Sequence, residues 1–429
     1  MSKKIDLEDL NKFSDTAVSY AVEKPKLIRI KEHIFSLYDF RYNKVRLLLE
    51  YRKKNEKDWI DFDEDLINDI WINFELNNEF HSKEKPSTRY INTVLFSSFV
   101  AKYNPIHDYF SNLKYDGNSY ISQLIQCVEI EPLRVNDDYT LDMFFPLLFK
   151  RWLVACVACA LGYNANHVLF LLIGGQGTFK TTFLKHLAPK AIDDYCFTGQ
   201  IDLDIKNKDT LNYLAEKFII NLDDQLQSLY KKDFNVIKTL ITASDITNRK
   251  AFRRDDKKRK RIANWCGSID KEKIFLDEKN RRYLSFKIKK IDLAKFQKIN
   301  IDNVWAEAYD LLKKGERFFF DSEEVNYINQ INRLFSIETP EEEWLLALFN
   351  NADKTDSPAE VVYLMFNEIL SIMQRASGLR MEAKLVTIAM KKLDWSEPIS
   401  QRIGIDKTPR KVYAVVRKFY EEQGKIIMK

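Results

Sequence analysis

The sequence predicts an α/β fold with a three-layer core over residues 161–290, and three stretches carry that prediction. The apolar run Leu169-Phe170-Leu171-Leu172-Ile173 breaks into Gly174-Gly175-Gln176-Gly177-Thr178-Phe179-Lys180-Thr181-Thr182, a buried strand opening onto a glycine-rich loop. A second apolar strand, Phe218-Ile219-Ile220-Asn221-Leu222, ends on Asp223 and Asp224. A third, Ile262-Ala263-Asn264-Trp265-Cys266-Gly267-Ser268-Ile269, ends on Asp270 and is followed by Asn280-Arg281-Arg282-Tyr283-Leu284-Ser285-Phe286. Short apolar strands alternating with helical spacing are the pattern of an α/β sheet. Ligands bind such sheets at the carboxyl ends of the strands, so the loop, the Asp223-Asp224 pair and residues 268–270 are expected on one edge.

Taken in chain order, residues 1–85 mix apolar-alternating pieces such as Val45-Arg46-Leu47-Leu48-Leu49-Glu50-Tyr51 with a helix-like Asp65-Leu66-Ile67-Asn68-Asp69-Ile70-Trp71. They carry no catalytic constellation. From 86 to 160 the apolar spacing is mostly helical, broken at Tyr103-Asn104-Pro105 and Tyr115-Asp116-Gly117-Asn118, which predicts a helical collar before the loop. A helix should begin near Lys180 and another run over 234–241. Residues 291–350 form a helical extension, with helices over 304–312 and 323–335. The last unit, 351–429, opens on an exposed connection at Lys354-Thr355-Asp356-Ser357-Pro358, continues with helices over 359–375 and 382–393, and ends in strands at 399–403 and 411–416. That order has the outline of a winged helix; a small helical interaction domain is the alternative.

The 429 residues, 45% hydrophobic and 31% charged, leave room for two to three domains and describe a soluble globular chain. No uninterrupted apolar run reaches the ~18 residues of a membrane span, and residues 1–9 lack the apolar core of a secretory signal, so no membrane partner and a cytoplasmic location are expected. Five scattered cysteines suit a reducing compartment. Cys156 and Cys159 form a C-x-x-C, but inside an apolar helix-like run, where core packing outweighs zinc or redox chemistry. His33, His81, His107, His167 and His186 show no metal-ligand spacing, so no structural metal is expected. The net charge of +5 says little about partners, but residues 249–261 hold nine basic residues in thirteen, a run usually found as a solvated loop.

The loop fits Gly-x4-Gly-Lys-[Ser/Thr] from Gly174, except that Phe179 occupies the second glycine position. In that motif backbone N–H groups turn onto phosphate oxygens, the lysine neutralises β/γ charge, the hydroxyl of Thr181 binds Mg²⁺, and the following helix turns its positive end to the phosphates. An ordinary glycine-rich turn after a buried strand is the alternative reading. Asp223-Asp224 at the end of an apolar strand has the form of the matching acidic element: Asp223 would hold Mg²⁺ through its water shell, and Asp224 would polarise the attacking water.

These residues resemble the virulence-associated protein E family, mobile-element and phage ATPases allied to superfamily 3 helicases and AAA+ proteins. Four blocks carry the resemblance: Tyr103-Asn104-Pro105-Ile106-His107-Asp108-Tyr109-Phe110 with Leu113-Lys114-Tyr115-Asp116-Gly117; the Gly-Gly-Gln-Gly loop; Asn221-Leu222-Asp223-Asp224; and Asn280-Arg281-Arg282-Tyr283. Trp305-Ala306-Glu307-Ala308 and Gly315-Glu316 add to it, and the match covers about residues 85 to 340. The resemblance implies a ring, a hexamer in related helicases, with ATP and Mg²⁺ at the loop. It implies that Arg249 and Phe252 open a hairpin whose residues Arg249, Lys250, Phe252, Arg253, Arg254, Lys257, Lys258, Arg259 and Lys260 grip single-stranded DNA by charge and stacking. It also makes Arg261, Arg281 and Arg282 candidates for γ-phosphate contact from a neighbouring subunit, and Asp270 the sensor position. The chain departs from the family pattern at Phe179 for glycine, Asp224 for glutamate, Asp270 for asparagine and Tyr115 for tryptophan. A carboxylate at 270 would repel a γ-phosphate, so nucleotide binding is more firmly expected than fast hydrolysis.

The function expected is an ATP-driven helicase or translocase ring acting on single-stranded DNA in replication of a phage or other mobile element. An ATP-binding oligomerisation switch in a defence or transposition complex is the alternative, and a small-molecule kinase a minor third. Residues 1–85 hold no carboxylate triad for primer synthesis, so a primase would be a separate partner.

Overall fold

The computed structural model describes residues 25–77, 80, 85–202, 204, 206–223, 226, 231–248, 257–275, 280–352, 357–393, 395–403, 408–422 and 425–428. Asp224 and residues 249–256, among them Arg249, Lys250, Phe252, Arg253 and Arg254, lie outside the described residues. The chain divides into two compact units, 1–108 and 109–429.

In the first unit, helix α1 (Lys26–Leu37) leads into strands β1 (Tyr38–Asn43), β2 (Leu48–Lys53) and β3 (Ile60–Asp61). Helices α2 (Glu64–Leu76) and α3 (Thr88–Leu95) and strand β4 (Ala101–Tyr103) follow. The sheet order is β3-β2-β1-β4, with β4 parallel to β1 and the other pairs antiparallel. Ile30, Ile34, Phe40, Leu49, Ile70, Phe74 and Ile91 close its core. Residues 86–160 were expected as one helical collar, but β4 pairs with β1 and draws the first part of that stretch into this unit, so the division falls at 108 rather than 85.

The second unit is organised by a six-stranded sheet. After α4 (Pro105–Asn112) and α5 (Tyr120–Ile125), its strands are β5 (Val128–Ile130), β6 (Leu169–Ile173), β7 (Cys196–Thr198) and β8 (Ile219–Leu222). A separate two-stranded hairpin, β9 (Asp245–Asn248) with β10 (Lys257–Lys260), precedes the last two sheet strands, β11 (Asn264–Ile269) and β12 (Tyr283–Ile291). The sheet order is β5-β12-β6-β11-β8-β7, parallel throughout except for β5. Every residue of β6, β8 and β11 is buried. That explains their largely apolar sequences: a strand covered on both faces has no alternation to show.

Helix α6 (Leu141–Ala160) is the one described helix long and apolar enough to cross a bilayer, and 78% of its most apolar window is buried inside the fold. It packs Phe145, Phe149 and Trp152 against Phe170 of β6 and Phe286 of β12. Cys156 and Cys159 are fully buried on it, so the C-x-x-C is core packing. The remaining helices before the C-terminal part are α7 (Lys180–His186), α8 (Lys208–Glu216), α9 (Lys231–Thr242), α10 (Leu293–Phe296), α11 (Ile301–Lys313) and α12 (Ser322–Arg333).

The C-terminal part runs α13 (Pro340–Leu348), β13 (Phe349–Asn351), β14 (Val361–Leu364), α14 (Phe366–Ser377), α15 (Ala383–Lys392), β15 (Ile399–Ile403), β16 (Thr408–Arg417), β17 (Phe419–Glu422) and β18 (Lys425–Met428). The helix expected over 359–375 starts at 366 instead. Val361 to Leu364, β-branched and aromatic, pair antiparallel with β16, and ladder pairing at that edge overrides the helical spacing.

Candidate functional site

The glycine-rich loop leaves the carboxyl end of β6 and turns into α7, as the spacing requires. Gly174 is needed for close approach: a Cβ there would lie 3.0 Å from the Ile288 carbonyl oxygen. Gly177 sits at φ +80°, and no atom lies within 4 Å of a Cβ built on Gly175 or Gly177, so the loop has open space beside it. Phe179 adopts φ +66°, the left-handed conformation for which a glycine would be chosen, and its ring is 47% exposed. The phenylalanine therefore keeps the glycine's backbone shape and turns its bulk to solvent.

Lys180 is buried under the loop, 6% exposed. Its ammonium donates to the carbonyls of Gly174 at 2.6 Å and Gly175 at 2.8 Å and to the Thr178 hydroxyl at 3.3 Å. It also pairs with the Asp270 carboxylate at 3.0 Å. The register explains that partner: Ile269 of β11 lies opposite Ile173 of β6, so the residue after each strand reaches the same spot. Asp270 therefore neutralises the loop lysine.

Asp223 follows β8. It accepts a hydrogen bond from the Thr181 hydroxyl at 2.7 Å and from the Ser268 hydroxyl at 3.3 Å, and Lys185 stands 3.7 Å from its other oxygen. Lys180, Thr181, Asp223, Ser268 and Asp270 thus gather at the carboxyl ends of three adjacent parallel strands, the edge on which ligands bind in open α/β sheets. Hydroxyl and carboxylate oxygens side by side are hard donors of the kind Mg²⁺ takes, and the buried ammonium beneath an open loop suits a polyphosphate, so these residues fit both groups. Gln176 is exposed on the loop and Thr182 is half-buried in the first turn of α7. Ser268 lies in the 268–270 stretch expected on this edge, whereas Lys185 carries no sequence signal because only the fold brings it to Asp223.

The arginines are placed differently from one another. Arg261 is 1% exposed and donates to the backbone carbonyls of Ala243, Ala263 and Asn166. This corrects its expected role at a neighbour's γ-phosphate: its guanidinium ties the turn between β10 and β11 to the segment before β6. Arg281 and Arg282 precede β12, and Leu169 N–H donates to the Arg282 carbonyl at the amino end of β6. With five strand residues at ~3.3 Å each between that edge and the loop, they stand roughly 16 Å from their own chain's loop. They line a cavity of about 320 Å³ with His167, Thr242, Phe318 and Phe319. Burial pushes the His167 imidazole below its usual range, and the nearby Arg261, Arg282 and Arg281 act the same way.

Of the basic run, β10 carries the described part. Arg259 is held by Glu216 at 3.2 Å and Asn212 at 3.0 Å, Lys260 by the Gly162 carbonyl at 2.6 Å, and Lys258 by Asp245 at 3.1 Å. Lys257 lies opposite Asn248 at the last described pair. Arg259 and Lys260 therefore anchor the hairpin to the body.

The fold and this cluster define a mixed α/β protein with a glycine-rich loop, a buried lysine, a hydroxyl and carboxylates at the carboxyl edge of a parallel sheet. Within that class the chain belongs to the virulence-associated protein E-like family: the Virulence-associated protein E-like domain matches residues 110–337. Solved structures similar to the chain include the apo structure of the NrS-1 C terminal region (305-718), with TM-score 0.49 and 14% identity, covering 92% of this chain and 100% of that one. Two A-form apo structures of the same region give a TM-score of 0.48 at the same identity and coverage. No curated protein matches.

Proposed function

We propose that the chain binds ATP with Mg²⁺ at the Gly174–Thr182 loop and Asp223, and works as a ring-forming ATPase on single-stranded DNA in replication of a mobile element. The observation that carries this reading is the convergence of Lys180, Thr181 and Asp223 at one strand edge, with the Thr181 hydroxyl already 2.7 Å from the Asp223 carboxylate. Bound Mg²⁺ would neutralise phosphate charge. Lys180 would exchange its carbonyl partners for phosphate oxygens, and the N–H groups of the open loop would orient them. Thr181 and Asp223 would hold the ion, and Asp224 would orient the attacking water. The separation of Arg281 and Arg282 from their own loop supports a role on the nucleotide of an adjacent copy, which a hexamer would supply. The pairing of β9 with β10, the strands that flank residues 249–256 in the sequence, supports DNA contact through that basic stretch.

A second reading, an ATP-dependent assembly switch with slow turnover, is favoured by the Lys180–Asp270 pair, which sets a carboxylate where a γ-phosphate would lie. Phosphate release with and without single-stranded DNA separates the two. The helicase reading expects DNA-stimulated release that Lys180→Ala abolishes. ATP-dependent oligomers without phosphate release would replace it with the switch, and undiminished release by Lys180→Ala would remove both.

A further inference from the structure

Helix α14 ends at Ser377 on Gly378, which takes φ +68°, and five residues later α15 begins. Two helices joined by a short connection and packed into one core have the outline of a helix-turn-helix. Ile369, Ile372 and Met373 of the first and Val386, Ala389 and Met390 of the second face one core with Leu345, Leu348 and Val415. That burial fixes what α15 shows outside. Lys384, Thr387 and Lys391 are exposed at i, i+3 and i+7, one face of the helix, with exposed Arg380 a turn ahead. The helix sequence, AKLVTIAMKK, contains no acidic residue. Its lysines are sorted: Lys392 turns inward to Glu342 and the Ile337 carbonyl, whereas Arg380, Lys384 and Lys391 have no ion pair among the described residues.

Next in the chain is the antiparallel hairpin of β15 and β16. Its register sets Ser400 opposite Lys411 and Arg402 opposite Pro409, so Arg402 and Lys411 share one face, and both are exposed. Among the described residues of this stretch, the exposed carboxylates are Glu382, at the start of α15, and Glu397, before β15. These five cations, Arg380 ahead of the helix, two lysines on it and two on the following hairpin, have no ion pair among the described residues and, with an uncharged Thr387 between the two lysines, are complementary to a polyanion with a groove. The major groove of DNA is about 12 Å wide and admits an α-helix, and the second helix of a helix-turn-helix reads it.

We propose that α15 and the β15–β16 hairpin are a duplex-DNA contact, with the helix in the major groove and Arg402 and Lys411 on the adjoining phosphates. This contact is separate from the nucleotide site and does not depend on it. The test uses the full chain and a fluorescent duplex of ~20 base pairs, about two helical turns, beside a single strand of the same sequence, titrated over a range of salt. Lys384→Glu with Lys391→Glu, and separately Arg402→Glu with Lys411→Glu, should each weaken duplex binding about tenfold or more and lower its salt slope by roughly two. The neutral pair Lys384→Gln with Lys391→Gln should lower the slope likewise, and all variants should keep the parent's unfolding midpoint and single-strand affinity. Lys180→Ala should bind duplex as the parent does, so failure of the nucleotide reading leaves this contact standing. Unchanged duplex binding in both charge-reversed pairs overturns the proposal, as does an equal loss of duplex and single-strand binding.

Discussion

Phe179 keeps a backbone conformation that costs a non-glycine residue roughly 1–2 kcal/mol, and it does so with its side chain in solvent. Glycine there would relieve that cost but lose a similar ~1 kcal/mol through the freedom of its unfolded chain. Phe179→Gly should therefore leave the urea midpoint almost unmoved, whereas Phe179→Val, β-branched in the left-handed region, should destabilise by about 1–3 kcal/mol. Next to it, the Lys180–Asp270 pair competes with any phosphate for the ammonium. Asp270→Asn removes that competitor and the repulsion it exerts, and should tighten ATP binding about five- to tenfold, roughly 1–1.4 kcal/mol, in a fluorescence titration. Weaker binding by this variant would mean that Asp270 serves the ligand rather than opposing it. Lys180 and Asp223 were legible because their chemistry is local to a loop and a strand end. The pairing of Lys180 with Asp270 was not, since it follows from the register of β11 on β6, a long-range fact. Arg261 misled for the same reason: it closes a basic run that reads as solvated, but the carbonyls that bury it come from three separate parts of the chain.

Among the elements, α6 and α12 are fastened by charge inside the fold. Arg151 pairs with Glu324 at 3.3 Å and Glu316 at 3.1 Å, and Glu324 also receives Arg317 at 2.8 Å and caps the first turn of α12. The side chains of Arg151 and Glu324 are only 8% and 4% exposed. Glu324→Ala leaves Arg151 buried without that partner and should cost about 3–5 kcal/mol in denaturant unfolding. The segment before β6 supplies a pH dependence. His167 donates its Nδ1 hydrogen to the Ile241 carbonyl at 3.2 Å, and burial among Arg261, Arg281 and Arg282 lowers its affinity for a proton. Below the unfolded value of about 6.5 the unfolded chain binds the proton that the folded chain refuses, so this residue's contribution to stability falls as the pH drops. Unfolding curves between pH 7.5 and roughly 5 should show a steeper loss for the parent than for His167→Gln; equal slopes would remove His167 as the source. The strands β6, β8 and β11 were readable as largely apolar runs. β4 was not, because it is only three residues long.

At the scale of the whole molecule, a mostly parallel sheet gathers residues from three separate segments onto one edge, and the family match over 110–337 spans that sheet from β5 through β12. The first unit and the part after 337 lie outside the match, and there the sequence carried elements but no chemistry. The helix-turn-helix acquires its basic face only once the core has decided which lysines of α15 turn inward. The central claim is that the edge formed by Lys180, Thr181 and Asp223 is a magnesium-nucleotide site. Equilibrium binding of ATP to the full chain, with and without Mg²⁺, tests it most directly. Saturable, Mg²⁺-dependent binding that Lys180→Ala weakens at least about tenfold, or ~1.4 kcal/mol, and that loses its Mg²⁺ dependence in Asp223→Ala, is the expected result. Binding that both variants retain at the parent's strength would contradict it.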